Sequence, residues 1–203
     1  LAGVLPDALV ALNRAHPRAR VAVSVGLSAE MAEKVAAGEL DAALTTEPVR
    51  PYPAGLVWTP LYQDRFWLFA PPGQARRSAR DLLAELPFIR FDSKAWAGRV
   101  IDRELRRMRV EVHEEMVLDS QDIILRMVEK GLGVAVLAVS DEIFAGLKLT
   151  CLPFGEPQLI RNIVMLERQD RRGGRLAVAL AEAVKVAKKE ASEKTRKDRK
   201  SVV

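Results

Sequence analysis

The feature that most constrains the fold is the alternation of helix-type and strand-type hydrophobic patterns along the chain of 203 residues. Leucines recur at helical spacing within residues 5–12, and the β-branched segment 21–25 (VAVSV) then has the character of a strand. A helical face follows Ser28, and segment 40–46 (LDAALTT) has the pattern of a buried strand. Strands separated by helices at this interval predict parallel sheets in an α/β protein.

Two breaks that contain proline and glycine indicate a division into two lobes. The first is Pro-Pro-Gly at 71–73, and the second is PFGEP at 153–157. If the chain crosses between lobes at both places, residues 1–70 and 156–203 form one discontinuous lobe. Residues 71–155 then form the other. Two lobes joined by two strands make a hinge with a cleft between them.

The charge distribution argues against a DNA-binding surface on the folded body. The formal net charge is +5, and residues 182–203 contain eight basic and four acidic side chains, so this terminal segment supplies most of the surplus. A domain that binds duplex DNA usually carries its basic surplus on a folded face. A solvated terminus is the simpler explanation here. No apolar run of about 18 residues occurs, so the sequence predicts no membrane span.

Motifs of catalysis are missing from the sequence. Neither the GxSxG nucleophile elbow nor the GxxxxGK[ST] phosphate loop occurs. Gly131 and Gly133 follow a helical pattern and precede a strand, which reverses the order of a phosphate loop, so we expect Gly131 to end a helix in the left-handed conformation. The only cysteine, Cys151, rules out an intrachain disulfide and favours a reducing compartment. We therefore expect a binding protein without enzymatic activity, metal or cofactor.

Three longer segments have the order and spacing of a known family. Residues 5–46 (LPDALVALNRAHPRARVAVSVGLSAEMAEKVAAGELDAALTT) combine a Leu-Pro helix, a proline before the next strand and a Gly-Glu-Leu-Asp-x-Ala-Leu motif. Residues 61–73 (LYQDRFWLFAPPG) end in a proline-rich turn, and residues 118–137 (LDSQDIILRMVEKGLGVAVL) place a serine-capped helix before Gly-x-Gly and a strand. From about residue 1 to about residue 185, the chain resembles the effector-binding domain of LysR-type transcriptional regulators.

The resemblance implies the fold of type 2 periplasmic binding proteins: an α/β protein of two Rossmann-like lobes, a hinge of two crossover strands, and a small effector in the inter-lobe cleft. It also implies a cytoplasmic regulatory domain that forms homodimers or tetramers. The sequence contains neither the family's helix-turn-helix domain nor the strand that usually precedes the Leu-Pro helix, so DNA contact is expected only through the missing N-terminal domain.

Two other functions remain open from the sequence. The alternative is a free-standing solute-binding protein of a transporter, which would require a signal peptide ahead of Leu1. A dehydratase or transferase on the same scaffold is a third hypothesis, but no acid, base or nucleophile can be nominated for it.

Serines at three predicted strand-to-helix turns are the first candidates for the effector site: Ser28, Ser93 and Ser120. Ligands of open α/β sheets bind at the carboxyl ends of strands, where helix N termini carry partial positive charge. A hydroxyl group beside such a terminus favours a small carboxylate or another anion. The alternative interpretation is that each serine only caps its helix.

Four further polar residues flank these turns or end a strand: Thr45, Thr46, Asp92 and Gln121. We expect them to line the cleft and to set the charge preference for the ligand. For the threonines, the alternative is a polar strand end without a binding role.

Two predicted helices, residues 28–37 and 121–130, are candidates for the side-by-side pairing of two copies that the resemblance implies. Met31 and Val35 in the first, and Met127 and Val128 in the second, serve either that interface or the core of one copy.

Overall fold

The computed structural model describes residues 3–140 and 148–201, with side chains described as far as Lys194. Within these residues the helices are α1 (Leu5–Ala15), α2 (Ser28–Ala37), α3 (Ala79–Glu85), α4 (Trp96–Met108), α5 (Gln121–Glu129) and α6 (Arg175–Ser201), with a short 3-10 helix at Gln169–Arg171. The strands are β1 (Ala42–Thr46), β2 (Leu56–Ala70), β3 (Pro87–Phe91), β4 (His113–Leu118), β5 (Ala135–Val139), β6 (Thr150–Pro153) and β7 (Ile160–Arg168). No helix in the described ranges has the length and apolar character needed to cross a membrane.

The chain divides into two compact units. The first comprises Leu1–Gln63 and Asn162–Val203, and the second comprises Asp64–Arg161. Both divisions therefore fall within strands, in β2 and in β7. The spacing of hydrophobic residues continues unchanged through each of these strands. The sequence pattern therefore does not show where one unit ends and the other begins. The lobe limits predicted from the proline-rich breaks, 1–70 with 156–203 and 71–155, stay predictions.

The first unit is built around the antiparallel pair β1–β7, in which Ala42 lies opposite Glu167 and Thr46 opposite Ile163. Successive residues of β1 face opposite sides, so Ala42 and Leu44 pack on the cluster formed with α1 and α6. The buried members of this cluster are Val4, Ala8, Leu61, Ile163, Met165, Ala181, Val184 and Ala187. The helical spacing of apolar residues in α1 is what buries Ala8 and Leu12 on its inner face.

Segment 21–25, predicted as a strand, is not one in the structure. It has no regular secondary structure, and Val21, Val23 and Val25 are 51%, 54% and 95% exposed. Its backbone makes no hydrogen bond within the described ranges. β-branched residues favour an extended chain, but a strand forms only when a neighbour completes its backbone hydrogen bonds. The prediction was wrong because the pattern does not specify a partner.

The second unit centres on β3, which pairs in parallel with β4 and meets the chain leading into β5 through the parallel bridge Phe88–Val134. β2 forms antiparallel ladders with β5 and with β6. The expected parallel arrangement therefore holds for β3 and its neighbours but not for the pairs β1–β7, β2–β5 and β2–β6. Hydrophobic periodicity indicates which residues are buried but carries no information on strand direction, so the antiparallel pairs were not predicted.

The Gly-Leu-Gly sequence at 131–133 forms the turn that connects the end of α5 to β5. Gly131 has a φ of 82°, and the N–H of Leu132 donates to the carbonyl of Met127 at 3.1 Å. This confirms the left-handed helix end predicted for Gly131. A Cβ on Gly133 would lie 2.3 Å from the carbonyl oxygen of Pro87, so glycine is needed where the chain enters β5 alongside β3.

The apolar residues of the two proposed pairing helices serve the core of the single chain. Met31, Val35 and Val128 are buried, and Met127 is half-buried against the core cluster around β5. The apolar side chain that α5 presents to solvent is Ile123, which is 48% exposed. The side-by-side pairing itself stays a prediction.

Candidate functional site

The candidate site lies in the second unit, at the edge of the sheet where β3 and β4 end. Parallel strands present their carboxyl ends at the same edge, and the N–H of Asp92 donates to the carbonyl of Leu118 at 2.9 Å. The turn after β3 is therefore adjacent to the turn after β4. The structure brings four predicted site residues together in these turns: Asp92, Ser93, Ser120 and Gln121.

The turn after β3 is fixed by its own hydrogen bonds. The carboxylate of Asp92 accepts from the N–H of Lys94 at 2.8 Å, and the carbonyl of Asp92 accepts from the N–H of Ala95 at 3.1 Å. Gly98 packs directly against this turn, since a Cβ there would lie 2.2 Å from the carbonyl oxygen of Asp92. The hydroxyl of Ser93 is exposed and has no partner in the described part of the chain. A rigid backbone thus holds a hydroxyl that is available to a ligand.

The N terminus of α4 carries unused hydrogen-bond donors. Its N-cap is Ala95, which has no side-chain oxygen, and Ser93 lies too early in the chain to cap the helix. The N–H groups of Trp96, Ala97 and Gly98 have no acceptor among the residues that the structure describes. Trp96 and Ala97 are only 5% and 4% exposed. A buried, uncapped N terminus concentrates donors and roughly half a positive charge, which suits a bound anion.

The N terminus of α5, by contrast, is already occupied. The hydroxyl of Ser120 accepts from the N–H of Ile123 at 3.5 Å, and Asp122 adds a negative charge in the first turn. The side-chain amide of Gln121 donates to the carbonyl of Ala138 at 3.2 Å, which ties α5 to β5. The capping that was the alternative interpretation of Ser120 is therefore present. Neither contact tests whether these side chains also bind the effector.

The remaining predicted site residues lie in the first unit. Ser28 is the first helical residue of α2 and Leu27 is the N-cap, so the serine does not cap this helix as the sequence indicated. Thr45 is 2% exposed, and its Oγ1 has no hydrogen-bond partner within the described residues. A buried hydroxyl left in this state costs about 1–3 kcal/mol, which a ligand contact would offset. Thr46 is half-buried on the opposite face of β1.

Charge at the edge formed by β3 and β4 is mixed. Asp92, Asp119 and Asp122 lie in or beside the two turns, and Lys94 is the basic residue between β3 and α4. The first turn of α4 contains no acidic side chain, whereas that of α5 contains Asp122. Of these two helix ends, that of α4 is the more favourable for an anion.

Other reactive side chains are buried or paired. Burial raises the pKa of the Cys151 thiol to about 11, so the thiol is protonated at neutral pH and is a poor nucleophile. A hydrogen bond from Arg107 lowers the pKa of the Glu104 carboxyl, and their closest atoms are 2.7 Å apart. Arg90 forms ion pairs with two carboxylates. In the described ranges, no three His, Cys, Asp or Glu side chains are grouped so that they could hold a metal ion.

Sequence reasoning predicted a helix N terminus beside Ser93, but it did not predict which N–H groups of α4 are unused or that Gly98 packs against the turn. It selected Ser93 as the polar residue of the turn, but the helix begins only at Trp96. A signal was present in residues 95–98 (AWAG), where a helix starts without a Ser, Thr, Asp or Asn at its cap.

Comparison with protein families places the chain. The family model of the LysR substrate binding domain matches residues 1–188. The chain belongs to this family. It is the ligand-sensing, effector-binding domain of a LysR-type transcriptional regulator, and the predicted type 2 periplasmic-binding-protein fold is confirmed. The hypothesis of a transporter's solute-binding protein is set aside.

Solved structures of LysR proteins share this fold. The effector-binding domain of QuiR in complex with shikimate has a TM-score of 0.75 and 14% identity, covering 93% of this chain and 92% of that one. The C-terminal domain of a probable LysR family regulator from Rhodococcus sp. RHA1 has a TM-score of 0.72 and 20% identity, covering 89% of this chain and 91% of that one. For the effector-binding domain of a BenM variant the values are 0.73 and 16%, with 91% and 88% covered. No curated protein matches the chain in sequence.

Proposed function

We propose that this LysR domain senses a small hydroxylated monocarboxylate and binds its carboxylate at the N terminus of α4. The observation that carries the proposal is the set of unused N–H groups of Trp96, Ala97 and Gly98 beside the exposed hydroxyl of Ser93. A carboxylate has about four lone-pair sites on its two oxygens and accepts several hydrogen bonds at once. Its binding supplies the cap that the helix lacks and satisfies donors in a largely buried position.

Acidic side chains near the same edge favour hydroxyl groups on the ligand. Carboxylates are acceptors only, and Asp92 and Asp119 flank the two turns. A second negative charge on the ligand would be repelled by them. Shikimate, the molecule bound by QuiR, combines one carboxylate with several hydroxyl groups. It is therefore a suitable first probe for this chain.

Ser28, Thr45 and Thr46 in the first unit, and Ser120 and Gln121 in the second, are further proposed effector contacts. Thr45 has the strongest support because its buried hydroxyl lacks a partner among the described residues. A ligand oxygen or hydroxyl that reaches Thr45 would satisfy it. The expected position of the effector between the two lobes stays a prediction.

Calorimetric titration with shikimate and with its methyl ester tests the requirement for charge. The ester keeps the hydroxyl groups and removes the negative charge. We expect the acid to bind at least about tenfold more tightly, because hydrogen bonds to an ionised acceptor are roughly twice as strong as neutral ones. Equal affinity for acid and ester would overturn the anion proposal.

A thermal-shift screen extends the test if shikimate itself does not bind. A ligand at 100 times its Kd adds about 2.7 kcal/mol to the free energy of unfolding, which is easily measured. We expect the stabilising compounds to be hydroxylated monocarboxylates. Stabilisation by neutral or cationic metabolites alone contradicts the proposal.

Proline substitution then locates the carboxylate. Ala97→Pro removes one of the N–H donors at a position of the first helical turn where proline is accepted. Ala79→Pro is the control, because it places a proline in the first turn of α3, a helix capped by Ser78 and outside the candidate site. We expect Ala97→Pro to weaken binding more than about tenfold and the control to leave affinity unchanged. Equal losses in both variants would exclude the N terminus of α4 as the binding point.

We also propose that the domain acts by binding rather than catalysis, in the cytoplasm, and within a homodimer or tetramer that reaches DNA through an N-terminal helix-turn-helix domain. The regulatory character of the LysR family supports this role. Sedimentation at tens of micromolar should show dimers or larger species, and a pure monomer there would refute the oligomer. Conversion of the bound ligand into a product would refute the non-catalytic role.

A further inference from the structure

We propose that the second unit binds the sugar–phosphate backbone of duplex DNA through an arginine face on α4. The face consists of Arg99, Arg103 and Arg106. It adds a contact that is independent of base sequence to the one expected of the N-terminal helix-turn-helix domain. None of the three side chains belongs to the candidate effector site, so the proposal does not depend on that site.

The arginine face is a row of unpaired cations on the solvent side of α4. Residues three and four positions apart share one face of a helix, and positions 99, 103 and 106 have this spacing. All three side chains are exposed and make no hydrogen bond or ion pair in the described part of the chain. Ile101 and Leu105 are buried on the opposite side of the helix. The core of the second unit therefore holds the three arginines in a fixed row.

The acidic side chains near the arginine face are already engaged. Residues 76–109 contain ten basic and five acidic side chains. Each carboxylate has a hydrogen-bond partner within the second unit: Asp81 at Ser78, Glu85 at Arg77, Asp92 at Lys94, Asp102 at Arg90 and Glu104 at Arg107. The net charge of the whole chain does not reveal this surplus, because acidic residues elsewhere cancel it. The second unit thus carries a local positive surface.

Two further arginines lengthen the basic surface at the end of α4. Arg80 of α3 donates to the carbonyls of Met108 and Arg109 at 2.9 and 3.3 Å, which fixes α3 beside the end of α4. Arg109 has a φ of 51°, a left-handed conformation that favours glycine. An arginine at such a position costs backbone strain, which points to a role for its exposed side chain.

The chemistry of the face fits DNA phosphates better than an acidic protein. Guanidinium groups bind phosphate through two parallel hydrogen bonds. Positions 99 to 106 span about 10 Å along the helix axis, which matches about three phosphates of one DNA strand at one per 3.4 Å of rise. A stable protein interface needs large apolar anchors at its centre. No large apolar side chain of residues 76–109 is exposed.

An NMR titration with duplex DNA locates the contact. The arginine Nε–Hε signals are followed while a mixed-sequence duplex of about 16 base pairs is added at low salt, up to about millimolar concentration, so that weak nonspecific binding is detected. We expect the signals of Arg99, Arg103 and Arg106 to shift at low salt and to return at high salt. Unchanged signals at these arginines would overturn the proposal, as would shifts confined to residues 182–203.

Two variants with the same loss of charge test the role of the face in binding. Each replaces three exposed arginines: Arg99→Gln, Arg103→Gln and Arg106→Gln in α4, and Arg14→Gln, Arg18→Gln and Arg20→Gln in the first unit as the control. Three phosphate contacts should weaken binding about 40-fold between about 50 and 200 mM salt, because the logarithmic slope is about 0.9 per phosphate. We expect the α4 variant to lose this salt dependence and the control to keep it. Equal losses in both variants would show a general effect of net charge and overturn the proposal.

Polyglutamate of the same total charge distinguishes DNA from an acidic protein partner. Duplex DNA carries one charge per about 1.7 Å, whereas an extended polyglutamate chain carries one per about 3.4 Å. We therefore expect the duplex to bind at least about tenfold more tightly, and the α4 variant to lose this preference. Equal or tighter binding of polyglutamate would assign the face to an acidic protein and overturn the proposal.

Discussion

Segment 21–25 of the first unit and β3 of the second unit each precede a helix, yet only β3 is a strand. Each leads to a helix whose N-cap has no side-chain oxygen, Leu27 for α2 and Ala95 for α4. Phe88 and Ile89 of β3 are fully buried, whereas Val25 is 95% exposed. β3 has β4 on one side and Val134 on the other, while 21–25 has no strand beside it in the described ranges. The two segments differ because β3 has neighbouring strands to pair with and segment 21–25 has none in the described ranges; their β-propensity does not explain the difference.

The difference has a consequence for ligand binding. Because β3 is paired, the turn from Asp92 to Ala95 is fixed and the donors of α4 are held in place. The chain before α2 has no such support. Donors that are already positioned bind a ligand without a further ordering cost. We therefore expect α4, rather than α2, to be the helix that binds the carboxylate.

The largest effect is expected from emptying the core around β3. Phe88→Ala should lower the free energy of unfolding by about 3–5 kcal/mol, because a fully buried aromatic ring is lost. Val25→Ala should change it by less than about 0.5 kcal/mol. Urea denaturation of both variants measures the contrast. Similar losses in the two would show that 21–25 is packed in solution.

A smaller loss is expected where the chain enters β5. Gly133→Ala places a Cβ against the carbonyl of Pro87 at a φ of 154° and should cost about 3 kcal/mol. The control is Gly173→Ala, where φ is 78° and nothing lies within 4 Å of the new Cβ, so only about 1 kcal/mol of backbone strain is expected. Urea denaturation measures both losses of stability. Equal losses would mean that the contact between a Cβ at position 133 and the carbonyl of Pro87 does not affect stability.

The family, the α/β class and most helices could be predicted from the sequence, because amphipathic patterns and ordered motifs can be read directly along the chain. The sequence also predicted the helix end at Gly131, where the order of helix, glycine and strand is decisive. It failed for 21–25 and for the antiparallel pairs, since partner and direction are properties of distant residues. For the candidate site, it predicted Ser93 and Ser120 at two strand-to-helix turns, and the structure has these turns side by side at one edge of the second unit. It could not identify which N–H groups of α4 are the unused donors, because backbone groups have no residue type of their own and the start of the helix at Trp96 was not predicted.

An effect near 1 kcal/mol should separate the two serines of this edge. Ser120→Ala removes the hydroxyl that accepts from Ile123 and should lower the free energy of unfolding by about 1 kcal/mol. Ser93→Ala should leave stability unchanged and weaken the binding of a carboxylate by about two- to tenfold, the range for one hydrogen bond. Thermal denaturation and calorimetric titration of both variants check this. A stability loss in Ser93→Ala without any loss of affinity would reverse the assigned roles.

The smallest effect is expected on the pH dependence of the second unit. The hydrogen bond from Arg107 lowers the pKa of Glu104 below its ordinary value of 4.5. A carboxyl with a lowered folded-state pKa stabilises the protein above its unfolded pKa, and this stabilisation is lost as the pH falls through the folded value. Glu104→Gln should therefore flatten the decrease in Tm at acidic pH. If Tm falls with decreasing pH as steeply in the variant as in the original chain, the ion pair contributes nothing to stability. Many ion pairs with an exposed partner behave in this way, and Arg107 is exposed.

The most direct test of the effector site is a backbone amide NMR titration with the monocarboxylate that stabilises the domain most. The N–H signals of Trp96, Ala97 and Gly98 should shift progressively and saturate at the calorimetric stoichiometry, because these donors bind the carboxylate. The signals of Ser28, Ala29 and Glu30, at the N terminus of α2, should shift much less. Saturating shifts confined to the α2 residues, with those of α4 unchanged, would contradict carboxylate binding at α4.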